Sequence, residues 1–318
     1  MKSMRLKKFK GALYALPLLF FAGVIIIFPE RYLPLCLEGI ALWAECVVPS
    51  LFPFMAITML LIKSGAAARA AKPLSPLCKR VRLPDISAVI LLMSVCSGYP
   101  AGSRIVCEFY ENGQIGNQAK KLSLFCSTSG PLFIVASVGF KMFGDKTLGM
   151  ALLAAHLVSV FSVALVYSLT ARDVPVRAKL NNVKTENLLY DSFYSAVIAC
   201  LVAGGFICFF YTFAGAAEDF NLLFPLKAAF SALFGEKAAS ALCYGLIEAT
   251  GGCAKLAASA SPAAVPLCGF LITFGGLSIF LQQLCYLIKC GVKPTFFISF
   301  KFLQGLVCFA LLWLYGLF

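Results

Sequence analysis

The sequence is short of acid and almost without histidine. Its 318 residues hold 14 aspartates and glutamates and one histidine, His156, against 27 lysines and arginines, and charged residues make up only 13%. A water-soluble domain carries roughly 25% charged residues, so this chain cannot cover a water-facing surface. With one histidine and neither an HExxH nor a GxSxG motif, a metal-dependent or nucleophile–base enzyme lacks its parts, and no catalytic residue or metal site is expected. The 14 cysteines contain no CxxC pair and fall mainly in apolar segments. They read as small buried fillers, not as a disulfide or zinc framework.

What is abundant is apolar length. Hydrophobic residues make up 61% of the chain, and mean hydropathy is +0.90. Runs long enough to cross about 30 Å of hydrocarbon recur throughout. They are continuous rather than alternating, which excludes an outer-membrane barrel. The expected fold is an all-α polytopic membrane protein with about seven full spans. The net charge of +13 then reads as the positive-inside bias of short loops, and nucleic acid is not an expected partner.

The chain divides around its charges and breaks. Lys2, Arg5, Lys7, Lys8 and Lys10 precede an apolar run from Gly11 to Phe28, read as an uncleaved transmembrane helix within 1–33 with its N-terminus inside. Glu38 and Glu45 share a helical face, and Pro49 and Pro53 predict a break between an interfacial helix and a span ending near Lys63. A basic loop follows over 63–85. Two apolar arms too short to cross then flank Ser97-Gly98-Tyr99-Pro100-Ala101-Gly102-Ser103-Arg104, which predicts a re-entrant hairpin over 86–110. A span over 120–140 is interrupted at Ser127-Thr128-Ser129-Gly130-Pro131, and a further span carries His156. Arg172, Arg177, Lys179 and Lys184 mark a cytoplasmic linker over 171–188.

Residues 189–318 repeat the order of events in 34–170. A span is followed by short arms over 238–260 around Glu248, Thr250, Gly251 and Gly252. A span over 263–287 is interrupted at Thr273-Phe274-Gly275-Gly276, and a last span follows. Seven crossings put the termini on opposite sides, N-terminus inside and C-terminus outside. The two hairpins then enter from opposite faces, and the lysines and arginines fall mainly on the inner side. Inverted repeats with paired hairpins and broken helices at the midplane mark secondary transporters.

Helix N-termini at the two tips favour an anionic or acceptor-rich solute. Gly98, Gly102, Gly251 and Gly252 permit close backbone approach, Pro100 interrupts the helix, and Tyr99 can stack on a ring. Glu248, an acid at membrane depth, is the sharpest single candidate. Arg104 either meets an anionic solute or pairs with Glu108, its i+4 neighbour. Ser97, Ser103, Ser127, Thr128, Ser129, Thr250 and Thr273 offer hydroxyls, and Gly130, Gly275 and Gly276 offer bare backbone at the breaks. His156 fits helix packing or proton relay equally, and Gln282-Gln283 fit interhelical bonding or solute contact. No sodium site is assignable, so sodium coupling, proton coupling and uncoupled movement all stay open.

Four segments together resemble a known family: Ser97-Gly-Tyr-Pro-Ala-Gly-Ser-Arg104, Phe125-Cys-Ser-Thr-Ser-Gly-Pro-Leu-Phe-Ile134, Pro49-Ser-Leu-Phe-Pro-Phe54 and Gly245-Leu-Ile-Glu-Ala-Thr250. The chain resembles the YlbJ (SpoVV) family of sporulation integral membrane proteins, in the nucleoside-recognition (Gate) superfamily, from about Trp43 to the C-terminus. The tip Ala249-Thr-Gly-Gly-Cys253 fits that pattern more loosely. The resemblance implies a relative of concentrative nucleoside transporters that moves dipicolinic acid, a flat aromatic dianion, across the outer forespore membrane of a sporulating bacterium. Its alternatives are a nucleoside-type solute and a non-transporting assembly protein needed for spore formation. The expected partners are the solute and the bilayer, with homo-oligomers among the related transporters.

Overall fold

The computed structural model describes residues 16–171 and 187–316. Among them there is helix and no strand. The first transmembrane segment is described from Leu16 onward as α1, Leu16–Ile27, while its basic N-terminal flank and most of the 171–188 linker lie outside the described residues. Five helices or helix runs are long and apolar enough to cross a membrane: Pro29–Lys63, Lys146–Thr170, Leu188–Asp219, Ala264–Cys290 and Pro294–Tyr315. The chain is an all-α polytopic membrane protein.

The first of these runs differs from the expected interfacial helix, break and span. α2 (Pro29–Leu42) passes through a π-helical turn, Trp43–Val47, directly into α3 (Val48–Lys63). Pro49 sits in the first turn of α3, where a missing N–H costs little. Hydroxyls take up two carbonyls of the π turn. Ser50 Oγ donates to the Cys46 and Val47 carbonyls at 2.7 and 3.1 Å, and Ser137 Oγ donates to Cys46 at 2.7 Å. The run stays helical through both prolines.

A partner helix runs antiparallel to this run along its length. α10 (Leu188–Asp219) meets it at Arg31–Asp219, an ion pair of 2.9 Å, at Cys36–Cys208, where the sulfurs lie 3.1 Å apart, and at Trp43, whose indole N–H donates to the Cys200 carbonyl at 3.1 Å. Phe52 and Phe193 close the other end, with ring centroids 6.2 Å apart.

The basic loop after α3 folds into two short helices, α4 (Ala66–Ala71) and α5 (Ser75–Arg80). Then come two 11-residue helices, α6 (Ser87–Ser97) and α7 (Ala101–Glu111), too short to cross and packed against each other. α8 (Ala119–Cys126) ends at Ser127, residues 127–130 are unwound, and helix resumes at Pro131, becoming a π-helical segment at Phe133–Met142. Asp145 caps α9 (Lys146–Thr170), accepting from the Thr147 and Leu148 amides.

After α10 the same order returns. α11 (Phe224–Phe234) is an apolar helix with no buried residue. α12 (Glu236–Ile247) and α13 (Ala249–Ala258) form the second short pair. α14 (Ala264–Phe274) and α15 (Gly276–Leu287) are the two pieces of the second broken span, and α16 (Pro294–Tyr315) is the last helix. The apolar side chains facing outward on α1, α3, α9, α10 and α16, such as Ile26, Ile57, Val166, Leu201 and Leu306, form the surface expected against lipid.

Candidate functional site

Each short helix pair rests its tip on a broken span of its own half. α6 ends at Gly98, whose φ of 70° and ψ of −165° lie in a region open essentially to glycine alone. A methyl group there would fall on the Gly130 backbone, 2.7 Å from its Cα. The tip at Gly98-Tyr99-Pro100, with a cis Tyr99–Pro100 peptide, is thus seated against the unwound Ser127–Gly130. In the second half, Gly275 (φ 101°) separates α14 from α15, and Gly276 (φ 66°) follows. A methyl group at Gly276 would lie 2.6 Å from the Gly245 carbonyl oxygen and 3.1 Å from that of Leu246. Bare backbone meets bare backbone in both halves.

The second tip is tighter than the sequence suggests. Only Glu248 separates α12 from α13, so Gly251 and Gly252 belong to the first turn of α13. Glu248 is fully buried. Its Oε1 accepts from the Thr250 amide at 3.1 Å and its Oε2 from the Gly251 amide at 2.6 Å. The carboxylate caps α13, answering orphan N–H groups and the positive end of the helix dipole. Glu248 has no ion pair among the described residues.

Buried side chains then join the two halves. Tyr99 Oη lies 3.1 and 3.2 Å from the carbonyl oxygens of Ile272 and Thr273 and donates to them, so the first tip reaches the second broken span. His156, on α9, touches both breaks. Its Nε2 accepts from the Ser129 amide at 3.1 Å, and its Nδ1 is 2.9 Å from Thr273 Oγ1. A ring that accepts at Nε2 carries its proton on Nδ1, so the neutral imidazole donates to Thr273. Ser103 and Ser127 both donate to Gln283 Oε1, at 3.0 and 2.7 Å. Lys301, fully buried on α16, donates to Tyr99 Oη at 3.1 Å and to the Ser127 carbonyl at 2.8 Å.

A cavity of about 50 Å³ lies among these parts. Tyr99, Ser129, Gly130, Thr250 and Gln282 give it polar edges, and Leu51, Phe133 and Ile207 are among its apolar walls. It draws on the first tip, the first break, the first turn of α13, α15 and the π turn of the long helix. About 10–15 Å³ of such space holds one water, so the cavity suits a few waters and is too small for a ring-bearing solute.

Several expected candidates are placed elsewhere. Arg104 lies one turn below the first tip, donates to the Ser195 carbonyl at 3.2 Å, and lines a second cavity of about 310 Å³ with Lys63, Glu108, Glu111 and Lys289. It forms no ion pair with Glu108. Ser97 donates to Thr58 at 2.8 Å, and Thr128 to the Ser94 carbonyl at 3.3 Å. Gly102 packs on the Cys126 carbonyl, and Gly251 faces the rings of Tyr211 and Tyr244. Pro100 precedes the first residue of α7. Tyr99, Ser129, Gly130 and Thr250 are the expected residues that line the central cavity together. Among the described residues no three potential metal ligands cluster.

Lys301 is the residue that reading the sequence by loops and motifs passes over. Its signal was a lone charge inside an apolar helix of 22 residues, which at membrane depth marks a functional candidate by default. Gln304, one turn on, donates to the Leu124 and Val160 carbonyls at 3.1 and 3.3 Å and ties α16 to α8 and α9.

Two short helix pairs seated on two broken spans, around a polar centre, define an all-helical membrane protein with a buried midchain site. Over 234 residues the chain is 30% identical to the sporulation integral membrane protein YlbJ of Bacillus subtilis (strain 168), a match covering 66% of this chain and 57% of that protein. Over this part the chain is similar to that sporulation integral membrane protein. The aligned part is thus under two thirds of that protein's length. No family model matches the chain, and no solved structure does.

Proposed function

We propose that this protein is a membrane transporter of a small anionic aromatic solute, dipicolinic acid first among them, acting in sporulation by alternating access at the paired tips. The observation that carries the reading is the arrangement of two helix tips, each seated on a broken span, with Tyr99, Ser129 and Thr250 converging on one cavity. Broken helices around a midplane site are how many secondary transporters hold solute. The similarity to YlbJ supports the link to sporulation.

On this reading 34–170 and 189–318 are inverted repeats joined by a cytoplasmic linker at 171–188. The hairpins are re-entrant from opposite faces, the N-terminus is inside and the C-terminus outside, and the membrane is the bacterial cytoplasmic or outer forespore membrane. A relation to Gate-domain nucleoside transporters belongs to the same proposal, as does the absence of an enzymatic role. The central cavity is too small for a ring, so the tips must part before one can enter. Tyr99 would stack on the ring, while Ser129, Thr250 and Gln282 would hydrogen-bond its acceptors.

The test is uptake of pyridine-2,6-dicarboxylate into vesicles reconstituted with the full chain, with sodium and proton gradients imposed separately. Protein-dependent uptake that falls at least tenfold in Tyr99→Ala, with that variant still folded, supports the proposal. Vesicles that move neither the dicarboxylate nor a nucleoside under any gradient overturn it and favour an assembly role.

A further inference from the structure

Lys301 and Gln283 carry an inference that rests on, and deepens, the transport reading. Lys301 is fully buried and forms no ion pair among the described residues. Leaving a buried ammonium without a counter-ion is costly, and such groups are ordinarily paired or held for a charged ligand. Its two hydrogen-bond partners, Tyr99 Oη and the Ser127 carbonyl, are neutral, while an ammonium offers three donors. Gln283, also fully buried, uses its Oε1 for Ser103 and Ser127, but its Nε2 has no partner. Both underused donors therefore flank Ser127, at the start of the first break. Tyr99 lies between Lys301 and the cavity: the ammonium is 3.1 Å from its hydroxyl and 5.2 Å from its ring centroid, and Tyr99 itself forms part of the cavity wall.

We propose that Lys301 is the charge-selecting residue of this site, favouring a carboxylate over a neutral solute in the central cavity, with Gln283 Nε2 as a second donor toward the same acceptor. When protonated, Lys301 sets a positive charge directly behind an aromatic wall, in a low-dielectric surrounding where its field is weakly screened. No side chain lining the cavity is itself charged, so discrimination between an anion and its neutral isostere falls to this charge. Glu248 works in the opposite sense, and its two oxygens are already turned onto the α13 amides.

The experiment compares pyridine-2,6-dicarboxylate with pyridine-2,6-dicarboxamide, which keeps the ring and removes the charge. Binding is read from the ligand-induced rise in unfolding temperature of the full chain in detergent, and flux from reconstituted vesicles. The wild type is expected to bind the dicarboxylate at least tenfold more tightly than the diamide. Lys301→Gln is expected to lose that preference while keeping the diamide, and Lys301→Arg to retain it. Should Lys301→Gln fail to fold, Lys301→Met, which fills the volume without a charge to desolvate, serves in its place. A folded Lys301→Gln or Lys301→Met with the wild-type preference overturns the inference and leaves the transport reading intact. A wild type that binds both probes equally also overturns it, and flux of both would again leave transport standing. If the wild type neither binds nor moves either probe, the transport reading falls and this inference with it.

Discussion

Gly98→Ala probes the seating of the first tip on the first break. Gly98 has φ 70° and ψ −165°, a region that costs a side-chain-bearing residue about 1–3 kcal/mol. The new methyl would lie 2.7 Å from Gly130 Cα and 3.1 Å from the Ser129 carbonyl carbon, backbone atoms that cannot rotate away. Overpacking of that kind costs a further ~1–3 kcal/mol, so the substitution should destabilise by roughly 2–6 kcal/mol. Gly130→Ala is the control across the same contact. There the nearest atom to a new methyl is the Ser97 carbonyl oxygen at 3.6 Å, an ordinary contact, and φ is not positive. Its cost should stay within about 1 kcal/mol. The assay is thermal unfolding of each purified variant in the same detergent. At roughly 2–4 °C per kcal/mol, Gly98→Ala should unfold at least about 2 °C below Gly130→Ala. Equal unfolding temperatures would refute the close seating of the tip.

Other consequences follow from the bonds between the halves. His156→Ala strands the Ser129 amide and Thr273 hydroxyl in a buried setting, and should cost about 2–5 kcal/mol, measured by the same unfolding assay. His156→Gln, which can replace one of those bonds, should recover part of that loss. Glu248→Gln keeps an acceptor for one of the two capped amides and should cost about 0.5–2 kcal/mol, whereas Glu248→Ala should cost more. A folded Glu248→Gln without flux would show that the carboxylate does more than cap. In a chain stripped of its other cysteines, Cys36 and Cys208 should cross-link readily under mild oxidant, since their sulfurs are 3.1 Å apart. Failure to cross-link would count against the antiparallel pairing of α2 and α10.

Much of this architecture is legible in the sequence because a membrane narrows the choices. Arms of about 11 residues cannot cross, and the short helix pairs α6–α7, turning at Gly98-Tyr99-Pro100, and α12–α13, turning at Glu248, stand where those arms are. The breaks at Ser127–Gly130 and Gly275 were visible for the same reason. Pro49 and Pro53 misled, because the chain turns π-helical just before Pro49 and stays helical through both, and no local pattern announces a hydroxyl partner for that turn 91 residues away. The location of Arg104 was equally hidden. One turn along α7 carries it from the tip to a separate vestibule, and only the packing of α10 against that arm decides this. Lys301 illustrates a different failure. Loop charges and motifs pass over it, yet its place inside an apolar helix is in plain view.

The central claim is that a solute occupies the space between the two tips. The most direct measurement places single cysteines at Ser129 and Thr250, both cavity-lining, in a background without other cysteines. It follows their modification by a small thiol reagent in membranes, with and without pyridine-2,6-dicarboxylate. The account predicts that the solute slows modification at both positions, while a cysteine at exposed Ser64, far along the chain from either tip, reacts at an unchanged rate. Modification rates at Ser129→Cys and Thr250→Cys that saturating solute leaves unchanged would contradict it.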